Sequence, residues 1–235
     1  MAGILYGVGV GPGDPELITI KAVNIINKAD IIIAPKTEKK NESIALGIAS
    51  KYINNNTKIV FQVFPMTKDE TEINKTVNNN AEEIKEFLKN DKVVVFLTLG
   101  DPMLYSTYIY IYKLLKDEYN IVTIPGITSF SDIAARTGFP LAEKDEILKI
   151  IPATTDINVI ESNLEDYPCN LVLMKVYKNA KELINKLELK GCINKFVMAT
   201  NSGLKDEKIV YSPDEIKNTP KKYLSTILAK KDNKI

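Results

Sequence analysis

Apolar residues occur along this chain in short runs separated by amphipathic, mostly polar stretches. Residues 3–9 form the first β-rich run and lead into a Gly/Pro turn. Asp14-Pro15-Glu16 has the order of a helix start, with Asp as cap, Pro at the first helical position and an acid in the first turn. The spacing predicts a helix from there to about Ala29. Ile31-Ile32-Ile33 reads as a second strand, residues 43–53 as a second helix, and Ile59-Val60-Phe61 as a third strand. A long helix is predicted over 70–90, where Ile84, Phe87 and Leu88 share one face. Val93-Val94-Val95-Phe96-Leu97 is apolar without alternation, the mark of a central strand covered on both sides. A helix over 104–117, a strand at Ile121-Val122-Thr123-Ile124, a Pro125-Gly126 break and a helix over 128–137 follow.

The second half alternates less regularly. Strands are expected near 147–151, 171–176, 195–199, 208–211 and 223–229, with helices near 157–164 and 179–189. Several strands there follow one another without an intervening helix, as in a mixed sheet. The fold class is therefore α/β, with a parallel N-terminal sheet over residues 1–124 and a mixed C-terminal sheet over 125–235. Residues 66–82 are polar and Asn-rich and read as a mobile surface element or as part of a substrate lid.

Composition narrows the chemistry. Lys+Arg of 31 against Asp+Glu of 30 lacks the basic excess of a nucleic-acid binder. Histidine is absent, which removes imidazole metal ligands and any His-dependent triad. Cys169 and Cys192 form no C-x-x-C pair and read as reduced core thiols. No apolar run approaches the roughly 20 residues of a membrane span, and the first strand follows the N-terminus without a basic run. A cytoplasmic protein without membrane or nucleic-acid partners is expected.

Three strand-end loops stand out. Gly7-Val8-Gly9-Val10-Gly11-Pro12-Gly13-Asp14-Pro15 follows the first strand, but its spacing fails the dinucleotide fingerprint, since Pro12 or Asp14 falls at the third glycine position. Asp30 lies near the distance of a ribose-binding acid, yet at the start of its strand instead of the end. Leu97-Thr98-Leu99-Gly100-Asp101-Pro102-Met103-Leu104-Tyr105-Ser106-Thr107 follows the most buried strand; Gly100 permits close backbone approach and Asp101 offers an acceptor. Ile124-Pro125-Gly126-Ile127-Thr128-Ser129-Phe130 repeats the strand, break, helix pattern, with hydroxyls at a helix start. Each alone reads equally well as an ordinary turn and cap. Together, in a parallel sheet, they converge on one edge. They hold no nucleophile with a base, no carboxylate pair and no metal-ligand cluster, which suits a cosubstrate that already carries an activated group.

The three loops, in this order and at these intervals, resemble those of the tetrapyrrole methyltransferases, the class III S-adenosylmethionine-dependent methyltransferases. The closing run Tyr223-Leu224-Ser225-Thr226-Ile227-Leu228 fits as well, so the resemblance spans essentially the whole chain. Phe64-Pro65-Met66-Thr67-Lys68-Asp69 and Tyr105-Ser106-Thr107-Tyr108 resemble the branch that methylates the C20 meso carbon of precorrin-2 or cobalt-factor II in cobalamin synthesis. The resemblance implies two αβα domains, a methyl donor folded in the cleft between them, a tetrapyrrole substrate, a homodimer and no protein-bound metal. It implies that Val10 backs the donor. Gly100, Asp101, Leu104, Ser106 and Thr107 would contact it from the second loop, and Thr128 and Ser129 from the third. Met174 or Val176 would flank the adenine, with Ala199, Thr200 and Leu224 on the same side. Asp101, or a hydroxyl of Tyr105, Ser106 or Thr107, would assist loss of the C20 proton; Asp101 orienting the donor only is the competing role. Lys36, Lys39, Lys40, Lys68, Lys221 and Lys222 are candidates for the substrate carboxylates or ordinary solvated lysines. The rival readings are methylation at another ring position, a non-catalytic tetrapyrrole carrier, and an unrelated nucleotide-binding enzyme. Between the two C20 substrates, the A/T-biased residue usage, with Arg136 the only arginine, favours the cobalt form.

Overall fold

The computed structural model describes residues 3–37, 42–67, 69–162, 170–177, 180–189, 195–220 and 222–230. The chain divides into two compact units, Met1–Thr128 and Ser129–Ile235.

The first unit is built on strands β1 (Ile4–Gly9), β2 (Ile31–Lys36), β3 (Lys58–Val63), β4 (Val93–Thr98) and β5 (Asn120–Ile124), all parallel, in the order β3-β2-β4-β1-β5. The unbroken apolar run of β4 is explained by this position: residues 94–98 are all buried, because helices cover both faces of the sheet. Helices α3 (Glu70–Lys89) and α4 (Tyr108–Leu115) cover one face. There Val77, Ala81, Ile84 and Leu88 of α3 and Tyr108, Ile111 and Leu115 of α4 pack with Leu5, Ile31, Ile33, Val94 and Phe96. The spacing of the α3 set follows the helical period; Asn74, Asn78 and Asn79 lie on its exposed face, while Asn80 turns inward and donates to Val63 O at 2.9 Å. Asp69 caps α3 by accepting from Thr71 N (2.9 Å) and Glu72 N (3.3 Å). Helices α1 (Ile20–Ile26) and α2 (Ile44–Ala49) pack on β1, β2 and β4.

Two predicted helices are shorter than their spacing suggests. Asp14 caps only a single 3₁₀ turn, Pro15–Leu17. Ile18 is extended and buried, and the Thr19 hydroxyl then caps α1 by accepting from Ala22 N at 3.2 Å. A β-branched residue followed by a capping hydroxyl stops one helix and starts the next. Likewise residues 104–107 are not helical: Tyr105 has φ 50°, a left-handed conformation that no right-handed helix accepts.

The second unit contains β6 (Leu148–Pro152), β7 (Asn170–Met174), β8 (Lys195–Thr200), β9 (Lys208–Val210) and β10 (Ser225–Lys230), in the order β6-β7-β10-β8-β9. Only β6 and β7 are parallel; the other pairs are antiparallel, so the sheet is mixed. Helices α5 (Ser129–Thr137), α6 (Ile157–Ser162), α7 (Ala180–Leu189) and α8 (Pro213–Asn218) complete it. Leu183, Ile184 and Leu187 of α7 and Ile216 of α8 pack on Leu171, Leu173, Phe196, Met198 and Ile227. The pattern reading missed α8, although Ser212-Pro213-Asp214-Glu215 carries its signal. Ser212 Oγ accepts from Glu215 N (3.1 Å), with Pro at the first turn. Cys169 and Cys192 lie outside the described residues.

Candidate functional site

The order of the first sheet fixes where a ligand can sit. The connection leaving β1 runs to β2 on one side, whereas the one leaving β4 runs to β5 on the other. The carboxyl ends of β1 and β4 are thus a topological switch point, where loops diverge and open a crevice. Asp30 lies at the opposite edge, accepting from Val93 N at 2.8 Å to stitch the starts of β2 and β4, so it is structural.

Backbone contacts tie the three loops together at that switch point. Val10 N donates to Thr98 O (2.9 Å), and Gly100 N donates to Gly11 O (2.8 Å), forming an isolated bridge between the first and second loops. Asp101 joins the second to the third. Its Oδ1 accepts from Met103 N at 2.8 Å, and its Oδ2 accepts from Gly126 N at 3.1 Å. The approach is so close that only glycine fits: a Cβ on Gly126 would lie 2.1 Å from Gly100 O and 2.8 Å from Gly9 Cα. Gly100 has φ 71°, and a Cβ there would meet nothing nearer than Ile127 O at 4.0 Å. The backbone at Gly100 therefore faces open space, a cradle that a bound molecule can approach closely.

The expected contacts in this unit divide by what they offer. Val10 is fully buried, its N–H bound to Thr98 O. Leu104, Ser106, Thr107 and Thr128 are half-buried. Ser106 Oγ accepts from Tyr108 N at 3.0 Å, whereas the Thr107 side chain does not cap α4. Tyr105 is 41% exposed. Behind this edge Tyr108 is buried against Gly7, its hydroxyl 2.8 Å from Thr123 Oγ1, and burial pushes its phenol above the usual range. Among the candidate lysines, Lys36 places its ammonium 5.4 Å over the Phe61 ring and Lys222 pairs with Asp206. Lys39, Lys40, Lys68 and Lys221 lie outside the described residues.

In the second unit, Met174, Val176, Ala199, Thr200 and Leu224 gather at one end of the mixed sheet. Val176 N donates to Ser225 O (2.9 Å), Asn201 N donates to Leu224 O (2.9 Å), and the Thr200 and Ser225 hydroxyls are 3.0 Å apart. Val176 and Ala199 are buried, while Met174 is half-buried. Lys175, between two of the expected contacts, has φ 59°, and burial holds its ammonium below the usual lysine range.

Sequence reasoning missed a network that anchors this end. Ser129, which opens α5, was expected at the donor; one turn on, α5 carries Asp132, which is buried. Asp132 accepts from Arg136 Nε (2.9 Å) and Ser202 Oγ (2.8 Å), and Arg136 also donates to Ser202 Oγ (2.8 Å) and binds Glu207 through both terminal nitrogens. Glu207 in turn accepts from Gly203 N at 3.0 Å. The Arg136 hydrogen bond holds the Glu207 carboxyl below its ordinary range, and the guanidinium is held correspondingly more firmly charged. That Arg136 is the sole arginine was the available signal, since a bidentate fork cannot be supplied by lysine.

Among the described residues no group of three or more Cys, Asp or Glu side chains could hold a metal, and no helix is long and apolar enough to cross a membrane.

Comparison with known proteins gives the family. The pattern of the Tetrapyrrole (Corrin/Porphyrin) Methylases matches residues 4–215. A relative from Salmonella typhimurium, named cobalt-precorrin-2 C(20)-methyltransferase, is 34% identical over 98% of this chain and 98% of its own. A Methanocaldococcus jannaschii relative, named "Probable cobalt-precorrin-2 C(20)-methyltransferase", is 35% identical over 78% of this chain and 88% of its own. The fold is that of a uroporphyrin-III C-methyl transferase from Thermus thermophilus solved with S-adenyl homocysteine. The two superpose with a TM-score of 0.64 at 21% identity, over 96% of this chain and 97% of the other.

Proposed function

Because the chain belongs to the tetrapyrrole (corrin/porphyrin) methylases, we propose that the clasped loop edge serves C20 methylation of the cobalt-loaded macrocycle. The protein is an S-adenosylmethionine-dependent methyltransferase of cobalamin biosynthesis. Identity at the 34% level across 98% of both chains carries the C20 assignment. The names of the two relatives favour the cobalt form over metal-free precorrin-2.

The donor supplies a methyl group already activated on a sulfonium, so the protein needs no strong acid. What the chain contributes is placement. In the first unit, the open backbone at Gly100 and the half-buried Leu104, Ser106, Thr107 and Thr128 form the donor's first wall, with Val10 behind it. In the second, we assign Ser129 to the donor and Met174 or Val176 to the adenine, with Ala199, Thr200 and Leu224 on the same side as the adenine. Holding reactants in near-attack geometry supplies about 7–11 kcal/mol in favourable cases. Both Asp101 oxygens are engaged by backbone N–H groups, which favours Asp101 as the residue that positions the second loop, not as the proton acceptor. A hydroxyl of Tyr105, Ser106 or Thr107 then assists loss of the C20 proton by hydrogen bonding to the water that carries it away. The enzyme works in the cytoplasm as a homodimer, in keeping with the family resemblance, and holds no metal of its own.

The test is methylation of cobalt-factor II and of metal-free precorrin-2 side by side, with mass and NMR of the products. The expected result is a single added methyl at C20 and faster turnover of the cobalt form. A methyl at any other ring carbon overturns the assignment, and preference for the metal-free ring overturns the choice of substrate.

A further inference from the structure

Strand β4 ends on a residue that its neighbours do not explain. It reads Val93-Val94-Val95-Phe96-Leu97-Thr98, and only the last position carries a hydroxyl. Thr98 is 6% exposed, yet its Oγ1 finds no hydrogen-bond partner among the described residues. Its carbonyl accepts from Val10 N. A buried hydroxyl without a partner destabilises a fold, and valine would fill the same volume without that cost. Nothing in the packing of the first unit requires the oxygen.

The direction of the side chain says what it serves. Side chains alternate along a strand, so Thr98 lies on the same face as Val94 and Phe96, the face under α3 and α4. Phe96 packs there against Phe64 (5.9 Å between ring centroids) and Tyr108 (5.7 Å). Thr98 is the next residue on that face toward the carboxyl edge. Gly9 is its register partner in β1, and a Cβ on Gly9 would strike Gly100 O and Gly126 N, both at 2.6 Å. The crossing of the second and third loops thus lies beside Thr98 on that face. The loops leaving β3 and β4 carry the exposed apolar side chains Met66, Met103 and Tyr105 to the same edge. A single unsatisfied hydroxyl next to an aromatic cluster, at a sheet edge whose loops carry exposed apolar side chains, suits a wide flat ring with polar groups on it better than a nucleoside.

We propose that Thr98 Oγ1 is a specificity-determining hydrogen-bond partner of the tetrapyrrole, bonding a polar group of the macrocycle and making no contact with the methyl donor. The proposal rests on the function given above and deepens it.

The experiment uses the full chain as wild type, Thr98→Val and Thr98→Ser. It measures KM and kcat for cobalt-factor II, binding of S-adenosylhomocysteine by calorimetry, and Tm without ligand. Thr98→Val should be at least as stable as wild type and bind S-adenosylhomocysteine within about twofold of it. Its KM for the macrocycle should rise about five- to tenfold, the factor of one neutral hydrogen bond. Thr98→Ser should recover most of that loss. An unchanged KM in Thr98→Val, a loss confined to S-adenosylhomocysteine binding, or a serine variant no better than valine overturns the proposal. A wild-type enzyme that does not methylate the macrocycle would instead sink the function itself. An active wild type with an indifferent Thr98→Val sinks only the role of Thr98.

Discussion

Replacing Asp101 by asparagine separates two roles that the sequence alone leaves open. In the structure each carboxylate oxygen accepts one backbone N–H, from Met103 at 2.8 Å and from Gly126 at 3.1 Å. An asparagine keeps one acceptor and turns its amide N–H₂ toward the other backbone N–H, so one charge-assisted bond is lost and a donor meets a donor. Hydrogen bonds to charged groups contribute about 1.5–3 kcal/mol each. For a chain of this size that corresponds to a Tm lower by roughly 3–12 °C. The weakened clasp lets Gly126 and the third loop move away from Gly100, so S-adenosylhomocysteine affinity should fall, by about tenfold for each 1.4 kcal/mol carried to the ligand. At saturating donor, kcat should stay within a few-fold of wild type. Thermal denaturation, calorimetry with S-adenosylhomocysteine and steady-state kinetics read the three quantities. If Asp101 takes the C20 proton instead, Asp101→Asn will keep its Tm and donor affinity while kcat drops about 10²–10⁴-fold. That outcome would refute the positioning argument.

The other expectations concern packing and charge. Gly126→Ala puts a methyl 2.1 Å from Gly100 O, against backbone that cannot rotate away, so destabilisation at or beyond the usual overpacking range of about 1–3 kcal/mol should appear as a lower urea midpoint, with loss of S-adenosylhomocysteine binding. Gly47→Ala in α2 is its counterpart: nothing lies within 4 Å of the new Cβ, so a gain of about 0.4–1 kcal/mol with unchanged kinetics is expected from the same measurement. Arg136→Met leaves Asp132 and Glu207 without their cation; such losses reach about 3–5 kcal/mol for buried pairs, and the partial exposure of Arg136 lowers the figure to roughly 2–3 kcal/mol. Glu207 is held below its ordinary 4.5 in the folded protein, so its contribution is present above that value and disappears as pH falls through the lower folded one. The stability gap between wild type and Arg136→Met, followed by urea denaturation across pH, should hold from neutrality to about 5 and narrow in more acid solution. A gap that widens in acid would show that Glu207 is not the partner that matters.

Periodicity was a good guide wherever a single physical demand ruled an element. The unalternating run of β4 announced a strand covered on both faces, and the short apolar runs of β1, β2 and β7 were legible for the same reason. It failed where two local preferences compete. The helix expected from Asp14 to Ala29 is split because Ile18 and Thr19 form a stop and a new cap. The helix expected from residue 104 begins only at Tyr108 because Asp101, Tyr105 and Ser106 hold a turn ahead of it. Helix α8 was overlooked because it is one short amphipathic stretch after a brief strand, though its capping residues are plain in the sequence.

The order of residues by itself determined the class of fold, the three Gly/Pro loops at strand ends and the family they belong to, because each depends on local periodicity and on short contiguous motifs. Only the tertiary structure decided how those loops are used. That Asp101 spends both oxygens on backbone, that Gly9, Gly100 and Gly126 touch, that Arg136 binds Asp132, Ser202 and Glu207, and that the buried Thr98 hydroxyl has no partner among the described residues all depend on residues far apart in the chain. Hydrogen-bond satisfaction and steric approach are properties of atoms in space, and a linear pattern carries neither.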